Sequence, residues 1–417
     1  MPTLAAMPSR TTATPLTHRA IDLSVLITMV GMVSSKALLS IGLGLLTSAC
    51  LVSWALSRPR PSLRPAAPFL FPMLIFGVTL LSGLNSADYA TWTDFIIKKL
   101  PFVFLPLAFL AQREFFAKRH LSYLAMFVMV VAVMAAWVLG HYLMNFESVH
   151  QDISSGKAFQ TPVDHTEFSI FVAFAAIVSL FLYMEPRKVI KTGSPSALVL
   201  LFIFLTLFLH ILAVRSGLVV LYVSLVSLLG YRLLRNRQYK ALAGLAILMV
   251  LLPILTINLV PSLKKKIGYM RWDLEQYRAG KGSNYSDSER IYSLKAGWEI
   301  FRSAPLTGVG IGDLKSACDD IYERDLGRTM VHYPHNQYLF ALAGMGILGL
   351  LVYLVALLGP LIYFRGQLDS YFLCLMVVIL LSAMVENTLE RTYSIGFYLF
   401  FALSSYCLMS TKWAPQK

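Results

Sequence analysis

Residues 196–234 read SALVLLFIFLTLFLHILAVRSGLVVLYVSLVSLLGYRLL. Two apolar runs, 196–214 and 217–234, are separated only by Arg215 and Ser216. Each run is close to the ~20 residues that cross about 30 Å of hydrocarbon as a helix. A hairpin this apolar has no face for water, so its solvent is lipid. Working outward, similar runs lie at about 21–34, 37–57, 67–84, 91–111, 121–145, 167–184, 241–259, 336–364, 368–386 and 393–410. The sequence therefore predicts an all-α, polytopic membrane protein with about twelve transmembrane helices. Gly31 to Lys36 separates the first two runs only weakly, and the alternative there is one long broken helix.

Composition agrees. Of 417 residues, 57% are hydrophobic and 14% charged, against about 25% charged in a soluble domain. The formal net charge of +14 would suggest nucleic acid on a soluble chain. Here much of the surplus lies in short loops, where it sets topology, and no nucleic-acid partner is expected. Cys50, Cys374 and Cys407 sit in apolar runs and Cys318 stands alone, so no disulfide framework follows. The run from Ile21 lacks a small-residue cleavage site and reads as a retained helix.

The loops give the crossings a direction. Arg10 and Arg19 precede the first run; Arg58, Arg60 and Arg64 follow the second; Arg113, Lys118 and Arg119 follow the fourth. Arg187, Lys188 and Lys191 follow the sixth, Arg232, Arg235, Arg237 and Lys240 the eighth, and Arg365 the tenth, with Lys412 and Lys417 at the end. These clusters occupy alternate loops, which predicts that both termini are cytoplasmic. The opposite loops, 85–88 and 147–167, are poor in Lys and Arg. Residues 261–334 form one long polar outer loop between an N-terminal transmembrane bundle, 1–260, and C-terminal transmembrane helices, 335–417. Its Lys264-Lys265-Lys266 run does not break the rule, because long loops translocate largely regardless of charge.

Three places exceed a packing account. Arg215 lies at the outer end of the seventh run, where an arginine costs up to about 2.5–3.5 kcal/mol at the bilayer centre and less near the interface. It is either a snorkelling arginine in a tight turn or an anion ligand, since guanidinium offers a rigid fork to phosphate. Ser286-Asp287-Ser288-Glu289-Arg290 opens an amphipathic helix, with Ser286 or Asp287 as N-cap and Leu294, Trp298 and Phe301 as its apolar face. Arg290 in the first turn opposes the helix dipole unless an anion is shared there. His335 stands at the mouth of the tenth run, after Pro334, as an interfacial side chain or a base that titrates near neutral pH. Pro334 interrupts the spacing of His332 and His335, and no acidic or Cys partner has metal-site spacing, so no metal site is expected.

The topology puts Arg215, Arg290 and His335 on one side of the membrane. Two arginines and a histidine suit transfer from a phosphate-bearing donor. Candidates for support on that side are Lys36, Asp164, His165, Glu167, His332, Asn336, Glu386, Glu390 and Arg391. The stretch Glu386 to Arg391 reads first as an exposed salt-bridged turn. Residues 264–281 mix basic residues with Tyr269, Trp272 and Tyr277, as a solvated face or a membrane-surface face does. Gly308, Gly310 and Gly312 have no strand before them and read as a tight turn near lipid head groups, not a phosphate loop.

The ordered series Ala213-Val214-Arg215-Ser216-Gly217, Ser288-Glu289-Arg290, Pro305 to Gly312, Pro334-His335-Asn336-Gln337-Tyr338 and Gly344 to Gly349 resembles the O-antigen ligase superfamily. The members it most resembles are lipopolysaccharide O-antigen ligases of the WaaL type. The resemblance implies a GT-C-like fold in the bacterial inner membrane, with the long loop and the site periplasmic. It implies inverting, metal- and cofactor-independent transfer of O-antigen from undecaprenyl pyrophosphate to a sugar hydroxyl of lipid A–core, among membrane lipids. His335 would be the general base, and Arg215 and Arg290 would hold the donor pyrophosphate. An O-antigen polymerase is the nearest alternative, and a small-anion transporter the alternative of another class. The absence of a convincing repeat and the outer position of the arginines weigh against transport.

Overall fold

A computed structural model of the chain describes residues 15–57, 63, 66–147, 160–185, 194–259, 261–279, 286–327 and 332–412. Arg10, Arg58, Arg60, Arg64, Asp152, Arg187, Lys188, Lys191, Lys281 and Lys417 lie outside the described residues. Described helices are α1 (Pro15–Ser34), α2 (Lys36–Leu56), α3 (Ala67–Leu81), α4 (Tyr89–Lys99), α5 (Pro101–Ala111) and α6 (Arg113–Met144). Next come α7 (His165–Met184), α8 (Pro195–Leu212), α9 (Arg215–Arg235), α10 (Tyr239–Leu259) and α11 (Pro261–Arg278). The last are α12 (Ser286–Ser303), α13 (Leu314–Leu326), α14 (Gln337–Tyr363), α15 (Ser370–Val385) and α16 (Thr392–Lys412). The protein is an all-α polytopic membrane protein, and no strand occurs among the described residues.

Among the described residues nine helices are long and apolar enough to cross a membrane. The first two runs are two helices. Ser35 is extended between them and its hydroxyl caps α2 through the Leu38 amide. Gly31 and Gly42 explain the hairpin's closeness: a Cβ on either would lie within 2.8 Å of the other helix's backbone. The expected crossing at 91–111 is instead two 11-residue helices, α4 and α5. Pro101 has no N–H to continue the ladder, so α4 ends at Lys99 and α5 starts afresh, with Leu100 between them at helical dihedrals. Residues 241–259 fall in α10, and the run 368–386 holds the 16-residue α15.

The centre of the molecule is built on α7 and α16, which are buried almost all round. Both read as apolar on every face, as a helix enclosed by other helices must. Phe127 of α6, Phe174 of α7 and Phe401 of α16 interlock there, with centroids 4.8 to 5.8 Å apart. Helices α6, α8 and α9 pack around α7, while α2, α5 and α6 pack around α16.

The run 336–364 is not one straight helix. Gly346 has φ 66 and ψ −167 and breaks α14 after its first turns. A break inside an apolar helix frees backbone groups that lipid cannot satisfy. The glycine-rich turn after α12 satisfies them. Val309 and Gly310 donate to the carbonyls of Ala343 and Gly344 at 3.1 and 3.0 Å, and Ile347 donates to Pro305 O at 2.9 Å. The two glycine runs of the sequence are thus one joint. A Cβ on Gly308 or Gly346, both at positive φ, would meet the opposite backbone at 2.4 or 2.2 Å. Asn85 Nδ2 donates to Gly308 O at 3.0 Å, and the Asp313 carboxylate accepts from the Ala87 and Asp88 amides at 2.7 Å, so the α3–α4 turn clamps the joint.

Candidate active site

The residues with chemistry gather at one end of the bundle, where α2, α7, α9, α12, α14 and α16 begin. Glu386 is the hub. It lies just past the last residue of α15 and is 2% exposed. Its Oε1 accepts from Arg290 Nη2 at 2.6 Å; its Oε2 accepts from His335 Nδ1 at 2.9 Å and from Arg391 Nη2 at 3.2 Å. Burial opposes ionisation of this carboxyl. The His335 hydrogen bond and the charges of Arg290 and Arg391 outweigh it and hold Glu386 below its ordinary range. An ionised carboxylate only accepts, so His335 Nδ1 carries the proton of that bond, and in the neutral ring this tautomer puts the lone pair on Nε2.

Local sequence explains how His335 is held. Its amide donates to Ser293 Oγ on α12 at 3.3 Å. Asn336 caps α14 by accepting from the Leu339 amide at 3.0 Å, and its Nδ2 ties to Met384 O at 3.0 Å. Gln337 is fully buried: Nε2 donates to Glu390 Oε1 at 2.9 Å and Oε1 accepts from the Leu389 amide at 2.8 Å. Tyr338 OH reaches Leu380 O at 3.1 Å. The stretch Pro334 to Tyr338 therefore docks the start of α14 against the end of α15 and the segment behind it.

Arg215 opens α9 after Ala213, which is left-handed at φ 54 and ends α8. That reversal, and Gly217 packed against Ser169 of α7, set the arginine at the bundle end. It pairs with Asp287 and reaches Met270 Sδ at 2.7 Å. Asp287 lies one turn before Arg290 on α12, so both arginines border the start of that helix. The α12 start is also capped by Asp273 of α11, whose Oδ2 accepts from the Asp287 and Ser288 amides at 2.8 and 3.3 Å. Those first-turn amides thus find their acceptor on another helix, while the Asp287 carboxylate is paired with Arg215.

The apolar face of α12 differs from expectation. Leu294 and Trp298 are exposed, Phe301 is partly buried, and Tyr292, Ala296 and Ile300 are the residues turned inward. Small residues permit the close approach: a Cβ on Gly297 would stand 2.6 Å from Pro334. On α11, Trp272 is exposed and Asp273 buried.

The structure joins the other expected residues unequally. Arg391 bonds both Glu386 and, at 3.4 Å, Asp164, which caps α7 through the Thr166 amide at 2.9 Å. Burial works against the Asp164 anion, but Arg391 and the capping amides leave its carboxyl below the usual range. His165 follows Asp164, and Glu167 accepts from Ser394 at 2.7 Å beneath them. His332 stacks on His335 with centroids 6.0 Å apart and stands 3.7 Å from Glu289. Lys36 is exposed at the first position of α2, where its backbone meets the Tyr393 hydroxyl. The segment Glu386 to Arg391, expected as an exposed turn, is salt-bridged but largely buried, with Glu390 at 5% exposure. The missed signal was its place between two apolar runs, which forces carboxylates toward protein partners. Among the described residues no group of three His, Cys, Asp or Glu side chains stands at metal-binding geometry.

Residues 197–354 match the O-Antigen ligase family model. The match runs from α8 to the middle of α14 and supports a place for the chain in the O-antigen ligase superfamily. It takes in Arg215, Arg290 and His335, while Glu386 and Arg391 lie beyond it. No curated protein matches the chain.

Proposed function

We propose that this protein is an O-antigen ligase: it transfers glycan from undecaprenyl pyrophosphate to a sugar hydroxyl of lipid A–core at the periplasmic face of the inner membrane. The observation that carries this reading is Glu386 bonded at once to His335 Nδ1 and Arg290. A histidine so held presents Nε2 as a base, and general-base assistance contributes about 10²–10⁴-fold. Nε2 takes the acceptor hydroxyl's proton, the oxygen attacks the anomeric carbon from the side opposite the pyrophosphate, and the configuration inverts. Arg290 uses one Nη on Glu386, leaving other donors of its fork for phosphate. With Arg215 it stabilises negative charge on the departing undecaprenyl pyrophosphate. The diphosphate leaves as a stable anion, and these residues carry the chemistry without a metal. The family match and the bundle of apolar helices support the same reading.

The test is complementation of a deletion strain with wild type, His335→Ala, Arg215→Ala or Arg290→Ala. A ligase predicts bare core and accumulated, polymerised lipid-linked glycan in each variant. Short lipid-linked glycan would make the protein a polymerase instead. Normal capped lipopolysaccharide with His335→Ala would remove that residue from the reaction.

A further inference from the structure

Beneath the candidate site lies a second charged cluster that no part of the mechanism uses. Lys99, the last residue of α4, is completely buried. Its ammonium contacts the Leu389 carbonyl, Glu390 Oε1 at 2.7 Å and Tyr353 OH at 3.4 Å. An ammonium has three N–H donors, and three acceptors surround this one. Glu390 Oε1 also accepts from Gln337, and Gln337 in turn accepts from the Leu389 amide. A buried lysine and carboxylate are costly among apolar helices and mark a role beyond packing.

The connections show what the cluster holds. Gln337 is two residues after His335. Leu389 and Glu390 lie between Glu386 and Arg391. Lys99 is thus the common anchor of both halves of the hub, gripping one half through its backbone and the other through Gln337. The interruption of the ladder at Leu100–Pro101 ends α4 at Lys99, whose ammonium meets the segment it grips. Arginine is no substitute, because its planar fork does not match three convergent acceptors.

We infer that Lys99 is a positioning residue, which through Glu390 and Gln337 keeps the Glu386 segment in register with His335. This inference rests on the reading of His335 as the base, but its structural half can be measured separately. The test uses the full chain in lipid nanodiscs with ¹⁵N-histidine, whose 8 histidines are few enough to resolve. The low-field Nδ1–H resonance of His335 is assigned by its loss in His335→Gln. Lys99→Met/Glu390→Gln removes both charges together, so no unpaired ion stays buried. Gln337→Met cuts the same tie with no change of charge and serves if the double variant does not fold.

For folded protein, the resonance is expected to vanish in either variant. Turnover per folded enzyme is expected to fall by at least about tenfold, with the donor KM kept within about twofold. A variant that folds and retains both the resonance and wild-type turnover overturns the inference and leaves Lys99 a matter of charge compensation. If wild type transfers no glycan while the resonance still depends on Lys99, the functional reading fails and the positioning role stands.

Discussion

Both ends of the helix bundle carry arginine–carboxylate pairs, and the two ends use them differently. At one end Arg232 meets Glu185 at 2.6 Å, both about a quarter exposed, and Arg119 meets Asp22 at 3.1 Å with more exposure still. Each carboxylate there is open to solvent, and such pairs are worth about 0–1 kcal/mol. At the other end Glu386 is nearly inaccessible and takes two arginines and a histidine. Removing one partner from a buried pair costs roughly 3–5 kcal/mol, because the remaining charge is stranded. The first arrangement neutralises charge. The second fixes the direction of an imidazole, as the proposed transfer requires.

Removing one negative charge from each end gives the largest expected difference between them. Glu386→Gln keeps the size and one acceptor but loses the anion that fixes the His335 tautomer. Transfer is expected to fall by about 10–100-fold, while Glu185→Gln stays within about twofold, as initial rates on purified protein would show. Equal losses would erase the distinction between the ends.

A second contrast concerns the joint beside the site. Gly346→Ala places a Cβ against Leu306 at positive φ and is expected to cost about 3 kcal/mol or more. Gly77→Ala, with open space around it, is expected to be neutral or slightly stabilising. Thermal unfolding in nanodiscs compares them, and equal midpoints would separate the glycine joint from stability.

Acid distinguishes the ends more gently. Glu386 and Asp164 both have depressed carboxyl pKa values in the fold. Their contribution is present above the unfolded carboxyl range of about 4 and is lost as pH falls through the folded values. The stability gap between wild type and Glu386→Gln should therefore be full at neutral pH and close below about pH 4. A gap that persists at acid pH would mean packing, not charge. The smallest effect is expected for Arg232→Ala, about 1 kcal/mol or less in the same unfolding measurement.

The membrane class and the co-location of Arg215, Arg290 and His335 were legible in the sequence because length, apolarity and loop charge follow from the bilayer itself. Each of the three is reached through local signals: a turn after an apolar run, a helix start, a proline before a helix. The role of Glu386 was not legible in the same way. A carboxylate between two apolar runs reads as a loop residue until the fold brings α12 and α14 over it. The α12 face was misread because bulky residues usually point inward. Here Gly297 and Ala296 make the contact and Leu294 and Trp298 are left outside. The break at Gly346 was hidden as well, since the hydrogen bonds that make it tolerable come from residues 305–310, distant in sequence.

The base role proposed for His335 at the Glu386 end is the central claim. Its most direct test is the transfer rate of purified His335→Ala in vesicles that contain the lipid-pyrophosphate glycan and lipid A–core. The predicted result is wild-type release of polyprenyl pyrophosphate with capped core, and a variant slowed by about 10²–10⁴-fold that still binds the donor. Transfer by His335→Ala at the wild-type rate would contradict it.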